Sequence, residues 1–133
     1  MRVIVTGGRR FNDRTAISAM LRLLDPGSDV IVHGAASGAD SLAAKVAASV
    51  GFAVEPHPAD WEGPCRPTCG EGHRRHRSGG SYCPAAGNYR NHEMAEAGAG
   101  LCVAFPGGSG TADMCRAAKA AGIEVRWWPT WPL

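Results

Sequence analysis

Three cysteines and two histidines crowd one short polar stretch of the chain: Cys65, Cys69, His73, His76 and Cys83. Thiolate and imidazole together suit a borderline-soft d¹⁰ ion, and four such donors complete a tetrahedral zinc site with no open position. Cys65, Cys69 and His73 recur with three residues between each pair, which fits a compact loop, and Cys83-Pro84 closes it. His73 is chosen over His76 because Gly70 and Gly72 let the chain double back just before it. The expected metal ligands are therefore Cys65, Cys69, His73 and Cys83, holding a structural zinc. The competing readings are reduced thiols in a loose loop, or a Cys65–Cys69 or Cys69–Cys83 disulfide. The total of five cysteines is odd, and in a cytosolic chain that favours metal over disulfides.

A second set of residues is built for anions. Gly7-Gly8-Arg9-Arg10, the segment Gly34 to Asp40 with Ser37 and Gly38 inside it, and Gly107-Gly108-Ser109-Gly110-Thr111 each follow a short apolar run. Glycine lets backbone approach a ligand closely and leaves N–H groups unobstructed. A helix starting near Thr111 adds free donors and partial positive charge, and Arg9 or Arg10 can pair with an anionic group. The pattern is neither a Walker loop nor the GxGxxG dinucleotide fingerprint. One such glycine pair is ordinarily just a tight turn. Three on the same edge of one sheet point to a phosphate-bearing small ligand.

The elements that must carry these loops alternate in type. Val3-Ile4-Val5 and Val30-Ile31-Val32 read as strands, Phe52-Ala53-Val54 as a weaker one, and Leu101 to Phe105 as a strand buried on both faces. Asp13 caps a helix with Ile17, Met20, Leu21 and Leu24 on one face. A second helix presents Leu42, Val46 and Val50. A third runs from Tyr89 to Ala97 behind an Asn88 N-cap, and a fourth shares Met114, Ala118 and Ala121. Ile123, Val125 and Trp127 form a final edge strand. This rhythm predicts an α/β, Rossmann-like fold: a mostly five-stranded parallel sheet with helices on both faces and a zinc-ordered loop insertion. Ligands of such sheets bind beyond the carboxyl ends of the strands. One domain over 1–133 is expected, with the Cys/His-rich insertion at 62–87 inside it.

Composition sets the outer bounds. The 133 residues are 44% hydrophobic and 20% charged, far from the disordered range. A formal net charge of +2 does not by itself imply nucleic acid or membrane. No apolar run approaches the roughly 20 residues of a membrane helix, and MRVIVTGG enters a strand with no signal-peptide pattern. A cytoplasmic location is expected. Cys102 and Cys115 read as small core residues.

Taken together, VTGGRRF, HGAASGADSLA, PADW, AGNYRNHEM and VAFPGGSGTADM resemble the YspA/YpsA-related branch of the SLOG superfamily, relatives of the lysine-decarboxylase-like "lonely guy" enzymes. The resemblance covers nearly the whole chain outside the cysteine-rich stretch. It implies a Rossmann-like domain, often dimeric, that binds nucleotides or nucleotide-derived ligands such as nucleoside monophosphates, NAD or ADP-ribose. In the lonely-guy enzymes an Arg before the PGGxGT strand and a Glu three residues past its Thr hydrolyse an N-glycosidic bond. Arg90 and Met94 match the Arg and its following Met, but the Glu position is Met114. A thioether moves no proton, and the neighbouring Asp113 is turned by about 100° on a helix. Ser37 stands where the YspA-like branch is associated with an Arg.

The resemblance implies Arg90 as a catalytic candidate, beside which stand Asp113, the carboxylate adjacent to the Glu position, and Asp60, just past the third strand, as a sugar contact or an acid or base. Gly7, Gly8, Gly107, Gly108, Gly110 and Thr111 are expected to form the phosphate cradle. Asp40 is either a ribose acceptor or a helix cap, Trp61 a base-stacking or core aromatic, and Asn91 a ligand or helix partner. His33 is expected to be packed and hydrogen-bonded. Some YspA-like proteins carry a similar Cys/His insert. Its Arg66, Arg74, Arg75 and Arg77, with Tyr82 and Tyr89, would close over the pocket, form a solvated rim, or grip single-stranded DNA as in DprA. A non-enzymatic sensor of a nucleotide signal is the other alternative. The C-terminal WWPTWPL is expected on the sheet edge or in a subunit contact.

Overall fold

A computed structural model describes residues 1–130. The chain runs β1 (Arg2–Thr6), α1 (Arg14–Leu21), β2 (Val30–His33), α2 (Ala39–Ser49), β3 (Ala53–Pro56), β4 (Arg75–Arg77), β5 (Gly80–Tyr82), α3 (Ala86–Glu96), β6 (Leu101–Ala104), α4 (Ser109–Ala120) and β7 (Val125–Trp127). Five strands form one sheet in the order β3-β2-β1-β6-β7, and all four pairings are parallel. The expected Rossmann-like α/β architecture is the one observed.

Side-chain alternation explains the two layers. Val3, Val5, Val103 and Phe105 pack with Ile17, Met20, Leu21, Ala43, Val46 and Ala47 of α1 and α2 on one face. Ile4, Val32 and Cys102 pack with Met94, Ala95, Met114, Ala117 and Ala118 of α3 and α4 on the other. Successive residues of β1 therefore feed opposite cores, and β1 and β6 are buried throughout apart from Arg2. The chain leaves β1 toward one side of the sheet and β6 toward the other, so the strand order reverses between these two neighbours. That reversal opens a crevice at their carboxyl ends.

Several boundaries differ from the sequence reading, each for a local reason. Asp13 does cap α1, accepting from the Ala16 amide at 3.0 Å. Val50 and Ala121 fall at helix C-caps and are exposed instead of sharing the buried face. Helix α3 starts at Ala86 with Ala85 as its N-cap, because the chain already turns at Cys83, whose carbonyl accepts from the Ala86 amide at 3.1 Å. Asn88 is thereby released from capping. Within the insertion, β4 and β5 form an antiparallel hairpin that the Gly- and Arg-rich sequence did not announce. Trp128 stacks on Phe105 with ring centroids 5.9 Å apart, and Trp127 is exposed on β7. The rest of the C-terminal aromatic segment, 131–133, lies outside the described residues.

Candidate functional site

The glycine loops after β1 and β6 are packed directly on each other. The Gly8 amide donates to the Pro106 carbonyl at 2.8 Å, and a Cβ on Gly107 would overlap the Thr111 hydroxyl and come 2.6 Å from the Gly8 nitrogen. Gly38, with φ +79°, is equally confined, since a Cβ there would overlap the Gly8 carbonyl. Gly38 and Gly107 thus serve loop-to-loop contact and do not line the cavity that results. Arg10 and Ser37 are exposed and also lie off it.

That cavity measures about 520 Å³, within the range of small-molecule sites. Gly7, Gly8 and Arg9 form one side, Gly34 and Asp40 a second, and Gly108 to Thr111 a third. Trp61, Asn88, Arg90, Asn91, Met114 and Arg116 complete it. Its charge is lopsided: Arg9, Arg90 and Arg116 face a single lining carboxylate, Asp40. The N-cap of α4 is Gly108 and supplies no side-chain cap, so the first-turn amides of Ser109, Gly110 and Thr111 are left for another acceptor. Arg116 and Asn88 were missed at the sequence level. The signal for Arg116 was there, since it follows Ser109 by seven residues, two helical turns, on the same face.

Arg90 is the best-tied side chain of the group. Its Nη1 donates to the Gly34 carbonyl and, at 3.3 Å, to the His57 carbonyl, and its Nε donates to Asn91 Oδ1 at 2.9 Å. Burial pulls its pKa down, and the carboxylates of Asp40 and Asp113 oppose that pull. Asn91 passes the chain on: its Nδ2 donates to Asp113 Oδ2 at 3.0 Å. The other Asp113 oxygen lies 3.7 Å from Arg116. Asp113 itself does not line the cavity, and Asp60 lines a separate one of about 200 Å³ that shares the Arg90 wall.

Asp40 caps neither α2 nor any other helix. Its carboxylate accepts from the Gly34 amide at 2.8 Å, pinning the loop before the helix. Burial raises its pKa, while the Gly34 and Ala36 amides and Arg90 work the other way. Next to it, His33 Nδ1 accepts from the Ala35 amide at 2.9 Å. Burial lowers the His33 pKa, and the charges of His57 and Arg90 lower it further.

In the insertion, the sulfurs of Cys65, Cys69 and Cys83 lie within 4.8 Å of one another, a cluster able to hold a metal ion. All three are free thiols. His73 stands outside that cluster, yet its Nε2 is buried and makes no hydrogen bond. An orphaned imidazole nitrogen in the same loop as three thiols fits a zinc-type donor set. The Tyr89 hydroxyl touches the Cys69 sulfur, lies 3.8 Å from that of Cys83, and accepts from the Arg66 amide at 3.1 Å. The arginines are largely committed. Arg74 donates to the Gly63 and Glu62 carbonyls and to Ser81; Arg66 pairs with Glu93 and lies over the Tyr89 ring; Arg77 covers Tyr82.

Among the described residues no helix is long and apolar enough to cross a membrane. The profile of the YspA, cpYpsA-related SLOG family (YAcAr) matches residues 1–63, which carry two of the three glycine loops and Trp61. The Gene 61 protein of Mycobacterium phage D29 is 39% identical over 134 residues, spanning 93% of each chain, so the likeness continues through the insertion and the PGGSGT loop. With a crevice at the switch point and matches of this extent, the chain belongs to the YspA, cpYpsA-related SLOG family.

Proposed function

We propose that the protein binds a nucleotide or nucleotide-derived anion, with phosphate at the first turn of α4 and the base against Trp61. The observation that carries this reading is the cavity at the switch point, where three arginines and an uncapped helix start oppose one carboxylate. Ser109, Gly110 and Thr111 supply amide donors, and Thr111 a hydroxyl. Gly108, where a Cβ would meet nothing within 4 Å, leaves that end open, while Gly7 and Gly8 let the loop pack against Ala39 and Pro106. Asp40 accepts from a ribose hydroxyl.

The carboxylates favour binding without cleavage. Hydrolysis of an N-glycosidic bond needs an acid or base at the reacting centre. Asp40 commits Oδ2 to the loop amides and turns Oδ1 to the ribose hydroxyl, Asp113 is held by Asn91 and Arg116, and Asp60 opens on the other cavity. Met114 fills the wall where a lonely-guy enzyme carries its Glu. Calorimetric titration with AMP, NAD and ADP-ribose, followed by mass spectrometry of the recovered ligand, tests the proposal. Saturable binding of at least one, recovered intact, is expected; no heat with any of the three overturns it.

For the insertion, the proposed ion is a structural zinc on Cys65, Cys69 and Cys83 with His73 as fourth ligand. Such a site stabilises the loop without reacting, since four protein donors leave no place for substrate. Elemental analysis of purified protein should find stoichiometric zinc, and its absence ends that assignment.

A further inference from the structure

The cysteine cluster and the ligand cavity share a wall. Cys83 is fully buried and is followed immediately by Pro84, which lines the cavity. Its amide donates to the Trp61 carbonyl at 2.8 Å, so the residue that would hold metal also holds the backbone of the indole facing the ligand. The same segment supplies neighbours of the indole. Its six-membered ring lies against Gly87, where a Cβ would come within 3.2 Å, and the edge of Tyr82 meets it at 6.5 Å between centroids. Both residues lie in or next to the insertion. Arg9 lies over the ring at 6.0 Å, the outer limit of a cation–π contact, so a planar base stacks on the indole by displacing that guanidinium. By contrast, the α4 amides are fixed by their own helix, and the Arg90 guanidinium is held from outside the insertion by the carbonyls of Gly34 and His57, although its helix starts just past Cys83.

We propose that the metal centre is the back support of the base-stacking subsite: through Cys83 it holds Trp61 in place, so metal occupancy governs affinity for the base of a nucleotide and leaves the phosphate end untouched. The proposal rests on the nucleotide reading above and adds a division of labour within it. The sheet and its loops bind phosphate and ribose, while the metal-ordered insertion binds the base. The metal has no part in chemistry on the ligand. It keeps an aromatic ring at a fixed height above the cavity.

The test uses the full chain loaded with Zn²⁺ and the same chain after chelation, each titrated with AMP and with ribose 5-phosphate, which lacks the base. Loss of one base-aromatic stack predicts AMP binding weaker by about 5- to 100-fold on metal removal, with ribose 5-phosphate changed by less than about twofold. In Trp61→Ala, AMP is already weak, and removing the metal weakens it no further, the signature of two groups acting through one contact. Readdition of Zn²⁺ restores AMP affinity in the wild type only. Equal AMP affinity with and without metal overturns the coupling and leaves the pocket reading standing. Equal weakening of both probes also overturns it, because the metal would then be holding the whole fold, which far-UV circular dichroism of the chelated protein shows directly. If the loaded protein binds neither probe, the nucleotide reading fails and the division of labour falls with it.

Discussion

Arg90 is where most of the site geometry converges, and it does so because its neighbours are small. Gly34 leaves the space its guanidinium fills: a Cβ there would sit 2.5 Å from Nη1. Gly34→Ala must therefore either push Arg90 out of the partition between the two cavities or bend the loop after β2. We expect AMP affinity to fall about tenfold or more, with a stability loss of about 1–3 kcal/mol from overpacking; calorimetry and urea unfolding read the two separately. The next residue behaves oppositely. Ala35 takes φ +57°, a left-handed conformation that costs an L-residue about 1–2 kcal/mol. Ala35→Gly should raise stability by roughly 0.5–1 kcal/mol after the entropy glycine adds to the unfolded chain, and an unchanged or lower urea midpoint would contradict this account. Residue type alone showed that Arg9, Asp40 and Asn91 were chemically suited to a site. It did not show that Asp40 would hold the loop rather than a helix, since that depends on how far the chain folds back between Gly34 and Asp40.

At the scale of elements, helix starts and loop closures decide what is available. Helix α4 was legible because strand, glycines and helix follow in order, and its open first turn follows from a glycine N-cap. The shift of α3 to Ala86 was not legible, because it is set by a turn at Cys83 whose order depends on residues far along the insertion. The same loop after β2 carries a pH response. His33 keeps Nδ1 as an acceptor, and burial first, then the positive charges nearby, hold its pKa below the ordinary 6.5. Below that value the unfolded chain takes up a proton before the native state does, so stability falls with pH until the folded pKa is reached. Urea unfolding above and below pH 6.5 should show this decline, and His33→Gln should flatten it. In the insertion, Tyr89 reaches the sulfurs from α3. Outer-sphere partners of this kind typically contribute 10- to 100-fold in metal affinity. Tyr89→Phe should thus weaken Zn²⁺ by about tenfold in competition with a chromophoric chelator, and an unaltered constant would reduce Tyr89 to packing.

For the molecule as a whole, a five-stranded parallel sheet was readable from apolar runs separated by amphipathic helices. So was the edge on which the glycines gather, because βα connections of one hand leave little choice. What the sequence could not supply is the reversal between β1 and β6, which rests on non-local pairing, Val3 with Leu101 through Thr6 with Ala104. The cavity charge is likewise a property of the assembled fold. The chain carries only +2 overall, yet three arginines line one cavity with a single carboxylate among its lining residues. AMP affinity should consequently fall as salt rises, more steeply than the modest net charge suggests; calorimetry at two ionic strengths measures the slope, and salt-independent binding would argue against an anionic ligand.

One contact has a broader implication. Because the Trp61 carbonyl receives the Cys83 amide, the detour that begins after Trp61 returns almost to its point of departure. A segment clasped at its neck in this way can be shortened, exchanged or grafted without redirecting the strands on either side. The parent architecture can therefore trade this excursion for another while the sheet and its glycine loops are inherited unchanged.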